Sequence, residues 1–343
     1  MNIAIIGFGN VGQGLVEIIA RKKAKLQNQY QIDLTITAVV TRSRGSLFNP
    51  AGLDPHVLLA AIRAGHLDQY PEQAGLVRNP PIEEIVTSLA VDTVVEASPT
   101  NLDTAQPALD ICRLALDHGK HLVLANKGPV ALAFGELSDK ARKVGVHFLY
   151  EGTVMGGTPS IRTAQTSLAG CEILEARGIL NGTTNYILTQ MGNGMSFTDA
   201  LTQAQSLGFA ETDPTADVDG WDAAGKVMIL SVALFGKQLT LDQMNVQGIR
   251  HLTPEDIEDA HANGERWKLI ARVTSEEGSV TLQKVPVTHP LAGVTGATNA
   301  ITYTTDLLGE VTLIGAGAGS IETGFALFSD LLNISRHPRL NIS

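Results

Sequence analysis

Cysteine is scarce: Cys112 and Cys171 are the only two in 343 residues. That is too few for a disulfide framework or a four-thiolate metal site, and it fits a reducing cytosol. Basic residues are also in deficit, with 25 Lys and Arg against 35 Asp and Glu and a net charge of −10. Such a balance argues against nucleic acid or an anionic membrane as a partner. The longest apolar stretch, Val227 to Phe235, falls far short of the roughly 20 residues that span a bilayer. Met1 leads straight into an apolar strand, so no signal peptide with a basic leading region is read. Neither an internal repeat nor a low-complexity tract is visible.

What remains is a globular chain, 44% hydrophobic and long enough for two domains with separate cores. Its first residues read as a buried strand, NIAII. They are followed by Gly7-Phe8-Gly9-Asn10-Val11-Gly12-Gln13-Gly14 and a helical pattern. This is G-x-G-x-x-G between a first strand and a first helix, the placement that gives the motif its meaning. Gly7 permits the tight turn, Gly9 lets the backbone approach a pyrophosphate, and Gly12 lets helix pack on strand. Phe8, Asn10 and Val11 carry the backbone amides of the turn toward the phosphates.

The second strand, Leu34 to Val40, ends without the acidic residue that holds an NAD ribose. Thr41-Arg42-Ser43-Arg44 stands there instead, and Arg42 suits a 2′-phosphate, so NADP is favoured with NAD as the alternative. Further strands at Thr93–Glu96, His121–Leu124 and His147–Tyr150 alternate with helices read at Pro55–Ala64, Leu102–His118 and Phe134–Val144. The expected fold is α/β: a doubly wound, Rossmann-type nucleotide domain over residues 1–150. Ligands bind outside the carboxyl ends of such strands, which brings Ser98, Asn126 and Lys127 toward the cofactor.

Beyond residue 150 the pattern changes. Helices near Ser160–Leu168, Phe197–Leu207 and Pro254–Ala262 mix with alternating strands at Ile173–Ile179, Lys268–Val273, Ser279–Val287 and Ala300–Thr304. This predicts an α+β domain over 151–314. A terminal glycine cluster, Gly315 to Gly319, and a helix from Ile321 to Leu332 are expected to return to the nucleotide domain. Gly317 would then lie near the cofactor, and 315–343 would complete that domain.

The stretch GFAETDPTADVDGWDAAGK stands out. Asp219 to Phe235 reads as one apolar helix, with Asp219, Asp222 and Lys226 three and four apart on one face. As a surface pair, Asp222 and Lys226 would contribute only about 0.2–0.5 kcal/mol. The helix is too apolar to lie on a surface, so a buried lysine ringed by carboxylates is a site candidate.

These blocks, together with ANKGP, EGTVMGGTPSI, GILNGTTNYIL and GAGAGSIETG, resemble homoserine dehydrogenase from end to end. The resemblance implies reversible, NAD(P)-dependent interconversion of L-aspartate 4-semialdehyde and L-homoserine. It puts Lys226 and Asp222 at the reacting oxygen, Glu211 on substrate, and Lys127 in the site. It further implies a monovalent cation such as Na+ on the backbone carbonyls of Glu151, Val154, Gly156 and Thr158, and a homodimer through the second domain. A protonated lysine can stabilise the alkoxide formed when hydride reaches an aldehyde carbon, and can supply its proton. For oxidation, the base is open between Lys127, Lys226 and a water. Glu211, Asp217 and Asp219 are candidates for the substrate ammonium. The segment from Asn181 to Tyr186, with Thr183 and Tyr186, is the candidate for its carboxylate. The chain ends at Ser343 on a polar tail read over 336–343, so no regulatory domain and no threonine sensitivity are expected.

Overall fold

The computed structural model describes residues 1–337, and the tail read over 336–343 lies outside the described residues from residue 338 onward. The chain forms two compact units, Met1–Gly157 with Gly319–Ser343, and Thr158–Ala318.

The first unit runs β1 (Asn2–Ile6), α1 (Asn10–Lys25), β2 (Thr35–Val40), β3 (Ser46–Phe48), α2 (Pro55–Arg63), β4 (Val77–Arg78), α3 (Ile82–Thr87), β5 (Thr93–Glu96), α4 (Ala108–Asp117), β6 (His121–Leu124), α5 (Lys127–Val144) and β7 (Phe148–Leu149). Its seven-stranded sheet has the order β4-β3-β2-β1-β5-β6-β7. The stretch from β2 to β7 is parallel, and β3 and β4 add antiparallel strands at one edge. Strand order reverses between β1 and β5, the point where doubly wound sheets open a crevice at their carboxyl ends. The first strands are apolar on both faces because helices cover both, as parallel sheets require.

Two helices differ from their sequence reading. The helix expected from Leu102 begins only at Ala108. Asn101 Oδ1 accepts from the N–H groups of Asp103 and Thr104, and Pro107 holds the residue before it out of the helical region. Conversely, α5 starts already at Lys127, because the Asn126 side chain caps it and Pro129 is tolerated in a first turn, and a kink at Ala133 (φ −138°, ψ 25°) sets this start apart from the stretch read from Phe134.

The second unit runs α6 (Ser160–Arg162, continued by a wide turn over Thr163–Ser167), β8 (Ile173–Ile179), α7 (Gly182–Gly192), α8 (Phe197–Ser206), α9 (Thr215–Val218), α10 (Trp221–Phe235), β9 (Asn245–Val246), α11 (Pro254–Ala262), β10 (Glu265–Thr274), β11 (Gly278–Pro286), β12 (Thr298–Thr305) and β13 (Gly309–Ala316). The strands form a six-stranded sheet ordered β13-β12-β8-β10-β11-β9, antiparallel except for the β11–β9 pair. Apolar residues of β8, β10, β11 and β12 make its core with Leu291, Ala292 and Val294. α10 packs over β11 so closely that a Cβ on Gly278 would lie 2.6 Å from the Val227 side chain.

The last helix, α12 (Ser320–Arg336), belongs to the first unit. It packs on α1 through glycines: a Cβ on Gly324 would come within 2.6 Å of the Leu15 nitrogen, and one on Gly14 within 1.9 Å of the Ser320 carbonyl. Leu327, Phe328, Leu331 and Ile334 complete the core of the first unit. Gly315 and Ala316, read as part of a glycine loop, are the end of β13, where they pair with Asn299 and Thr298.

Candidate active site

In the first unit, β1 delivers the chain into a turn that only glycine fits. Gly7 has φ +99°, and a Cβ on it would lie 2.4 Å from the Ala97 carbonyl carbon and the Ser98 nitrogen. A Cβ on Gly12 would meet the Gly7 carbonyl oxygen at 2.6 Å, so the helix sits directly on the turn. Around Gly9 there is open space. Gly9 also stands immediately before α1, whose first turn has no side-chain cap. Open space beside uncapped N–H groups at the start of a 16-residue helix suits a pyrophosphate, so the residues fit a dinucleotide. Phe8 is buried beneath the turn, and Asn10 and Val11 open the helix.

Arg42 is exposed in the loop after β2, which Thr41 shapes by donating to the Gly45 carbonyl and accepting from the Arg44 N–H. At the carboxyl ends of β5 and β6, Ser98 and Asn126 converge on Glu96. The Ser98 N–H donates to Glu96 Oε1 at 2.8 Å, and the Asn126 amide reaches the same oxygen, Ser98 Oγ and the Pro99 carbonyl at 3.2–3.4 Å. Lys127 follows as the first residue of α5, its N–H donating to Thr100 Oγ1 at 3.2 Å.

In the second unit, the lysine and its acids form one cluster. Lys226 Nζ donates to Asp222 Oδ2 at 2.7 Å and to the Leu180 carbonyl at 2.6 Å. The side chains of the pair are only 10% and 19% exposed, which removes it from the class of weak surface bridges. A lysine ammonium has three N–H bonds and these contacts use two, so a substrate oxygen can take the third. Asn181 ties the cluster together. Its Oδ1 caps α7 by accepting from the Thr184 N–H, while Nδ2 donates to Asp217 Oδ1 at 2.6 Å and Asp222 Oδ2 at 2.9 Å. Burial, and then the neighbouring Asp222 charge, raises the Asp217 carboxyl above its ordinary value; Asn181 and Lys226 oppose the shift. In the sequence, Asn181 is visible only as part of a segment offered for the carboxylate. Its local signal is the helix-capping position, which does not tell where its amide points.

Asp219 needs correction. It precedes α10 instead of standing on it, because Gly220 takes φ +88° and breaks the chain between α9 and α10. A side chain at Gly220 would also strike the Gln247 carbonyl, at 2.7 Å. Asp219 therefore pairs with Arg250 at 2.5 Å and not with Lys226. The Tyr186 hydroxyl donates to Gln203 Oε1 at 2.7 Å and its ring lies 5.0 Å from that of Phe209. Thr183 is buried and donates to the Phe209 carbonyl, on the segment that leads to Glu211. Glu211 is exposed and its carbonyl accepts from Gln205. Gly317 lies in the second unit against Asn299, where a Cβ would come within 2.2 Å of both amide atoms.

Of the carbonyl residues, Glu151, Val154 and Gly156 lie in a buried turn of the first unit, with left-handed backbone at Met155 and Gly156. Asp330 of α12 fixes this turn by accepting the Glu151 N–H at 3.1 Å. The Thr158 carbonyl accepts from the Ser160 N–H at 2.7 Å. Among the described residues, no group of three or more His, Cys, Asp or Glu is placed to hold a metal ion, so any cation there would rest on backbone oxygens. No helix among them is long and apolar enough to cross a membrane.

Family models cover nearly the whole chain. Residues 7–151 match "Homoserine dehydrogenase, NAD binding domain" and residues 159–332 match "Homoserine dehydrogenase". The chain is 42% identical over 339 residues to the NAD(+)-dependent homoserine dehydrogenase of Pseudomonas canavaninivorans, covering 97% of this chain and 95% of that protein. It is 41% identical to the homoserine dehydrogenase of Methanocaldococcus jannaschii, covering 97% and 98%. Among solved structures, a hyperthermophilic archaeal homoserine dehydrogenase in complex with NADPH matches with a TM-score of 0.84 at 30% identity, covering 99% of each chain. The enzyme from Thiobacillus denitrificans matches at 0.83 and 32%, covering 98% of this chain and 73% of that one.

Proposed function

The chain belongs to the homoserine dehydrogenase family, whose members interconvert L-aspartate 4-semialdehyde and L-homoserine with NAD(P), and from that premise we propose how its own residues do the work. The observation that carries the proposal is the Asn181–Asp217–Asp222–Lys226 cluster. In the direction of reduction, the Lys226 ammonium stabilises the negative charge growing on the substrate oxygen and gives it a proton. Asp222 orients that ammonium, and Asn181 fixes Asp222. Asp217 and Glu211 hold the substrate ammonium, with the start of α7 at Asn181–Thr183 taking the carboxylate through helix N–H groups. Asp219, engaged by Arg250, is not assigned a substrate contact.

When bound, the nicotinamide cofactor supplies or accepts the hydride. Gly7, Phe8, Gly9, Asn10, Val11 and Gly12 cradle its pyrophosphate, Ser98 and Lys127 line its site, and Arg42 meets a 2′-phosphate. NADP is therefore preferred over NAD, a reading supported by the absence of any acid between Thr41 and Gly45. In oxidation, Lys226, Lys127 and a water are the candidates for accepting the proton. A monovalent cation on the carbonyls of the Glu151–Thr158 segment belongs to the same reading, supported by the left-handed turn at Met155 and Gly156. So do a homodimer, for which the edge strand β13 with its exposed Ile314 offers a face, and a cytoplasmic location, supported by the two free cysteines.

Turnover of L-homoserine with NADP, followed at the NADPH absorbance, tests the activity. Serine and threonine in place of homoserine should turn over far more slowly. Equal rates with them would contradict the substrate assignment.

A further inference from the structure

Among the described residues, Glu96 is the one acid of the first unit's sheet, and it is wholly buried, close enough to Cys112 of α4 to act on its thiol. An isolated buried carboxyl is unfavourable unless something requires it. Its Oε1 accepts from the Ser98 N–H, the Ser98 hydroxyl and the Asn126 amide, while Oε2 is buried without a hydrogen-bond partner. Burial drives the carboxyl above its ordinary range, against the hydrogen bonds from Ser98 and Asn126.

Two loops converge on Oε1, those after β5 and β6, and a third, the glycine turn after β1, lies against one of them. Ser98 lies against the Gly7 turn, where no Cβ fits. Asn126 caps α5 through Oδ1 and delivers Lys127. A Cβ on Gly128 would strike the Asn101 carbonyl at 2.5 Å, so the β5–α4 loop is pressed onto the start of α5. All three loops leave the carboxyl ends of adjacent parallel strands, β1, β5 and β6, at the crevice that receives a ligand.

We propose that Glu96 is a positioning residue for the reaction: by joining Ser98 to Asn126 it fixes Lys127 and the β5–α4 loop against the glycine turn, and so shapes the cofactor site. This rests on reading Lys127 as a cofactor contact. Glu96 does not touch the reacting atoms. A glutamine in its place keeps an oxygen for the same three donors, so charge is not what the position needs. Alanine removes the joint.

The test is steady-state kinetics with homoserine and cofactor varied separately, beside thermal melting. Glu96→Ala should raise the cofactor KM by about tenfold, the size of one lost hydrogen-bonding centre. The homoserine KM should stay within about twofold and Glu96→Gln within about threefold of wild type on every parameter. Glu96→Asp, which withdraws the carboxyl by one methylene, should fall between them and decides the matter if the alanine variant does not fold. Lys127→Ala should also raise the cofactor KM, and its combination with the Glu96 variant should add little further. A merely structural role would lower the melting temperature and leave the two KM values in their original ratio, which overturns the proposal. Full additivity with Lys127→Ala, or a Gln variant as impaired as Ala, overturns it too. A normal Lys127→Ala enzyme refutes the Lys127 reading itself, and the proposal with it.

Discussion

Both compact units use the same device to different ends. In each, an asparagine stands just before a helix, accepts a helix N–H at its Oδ1 and donates from its Nδ2 to carboxylates: Asn126 to Glu96 in the first unit, Asn181 to Asp217 and Asp222 in the second. Around Asn126 the acid is single and wholly buried, which suits holding loops in place. Around Asn181 there are two acids, partly open to solvent, with Lys226 bonded to one of them. Like charges held close keep a site reactive, because each raises the proton affinity of the other. On the proposed reading, one capping geometry supports a scaffold in one unit and acid–base chemistry in the other.

The two clusters separate most forcefully at Asp222. Asp222→Asn should lower kcat by about 10²–10³-fold, within the range for loss of general acid–base help, because the ammonium of Lys226 loses the charge that orients it. Binding of NADPH, read by its fluorescence, should be unchanged. A cofactor affinity that falls with kcat would show that the two clusters are not separate in function.

Asn181→Ser divides capping from carboxylate bonding, since serine is a good helix cap but is too short to reach both carboxylates. The cap survives, so melting should stay near wild type, while kcat should drop by about tenfold or more for the charge-assisted hydrogen bonds lost to Asp217 and Asp222. The alanine variant should lose both, with about 1 kcal/mol of stability gone with the cap. If serine and alanine behave alike in kcat and in melting, Asn181 is only a cap.

Arg42→Ala bears on the first unit alone. The ratio of kcat/KM with NADP to that with NAD should fall by about 5- to 10-fold, through loss of a contact to the 2′-phosphate. An unchanged ratio removes Arg42 from the site.

A still smaller effect concerns pH. Because the Asp217 carboxyl is raised in the folded chain, first by burial and then by Asp222, its protonated form is the one that folding favours. That contribution is present at low pH and is lost as pH rises through the folded-state pKa. At neutral pH the ionised Asp217 therefore weighs against stability. Asp217→Asn should raise the melting temperature by about 2 °C near pH 7 and by nothing in strong acid, while activity falls. A melting temperature lowered at neutral pH would contradict the sign.

Much of the fold is legible in the chain, and the reason is local chemistry. Thr253 and Asp256 form a reciprocal cap around Pro254, and α11 begins and ends where the pattern says. The glycine turn after β1 and the returning helix α12 follow from spacing alone. The parallel strands are apolar because helices cover both faces, and that too is visible in residue type. What escapes depends on partners distant in sequence. Strand β13 is hidden by its glycines and exists because β12 lies beside it, and β3 and β4 are too short to show a period. Counting residues sets Asp219 on α10, although one left-handed glycine at 220 is enough to part them. The burial of Glu96 and the bridge made by Asn181 belong to tertiary structure, since a periodicity reports which residues are inside but not what they bond there.

The division of labour stands or falls at Lys226, with cofactor binding and turnover measured on the same Lys226→Ala protein. If the second unit's cluster does the chemistry, kcat falls by about 10²–10⁴-fold while the NADPH Kd stays within about twofold. A folded Lys226→Ala protein that turns over homoserine at a near-normal rate, or one that has lost NADPH binding, would contradict it.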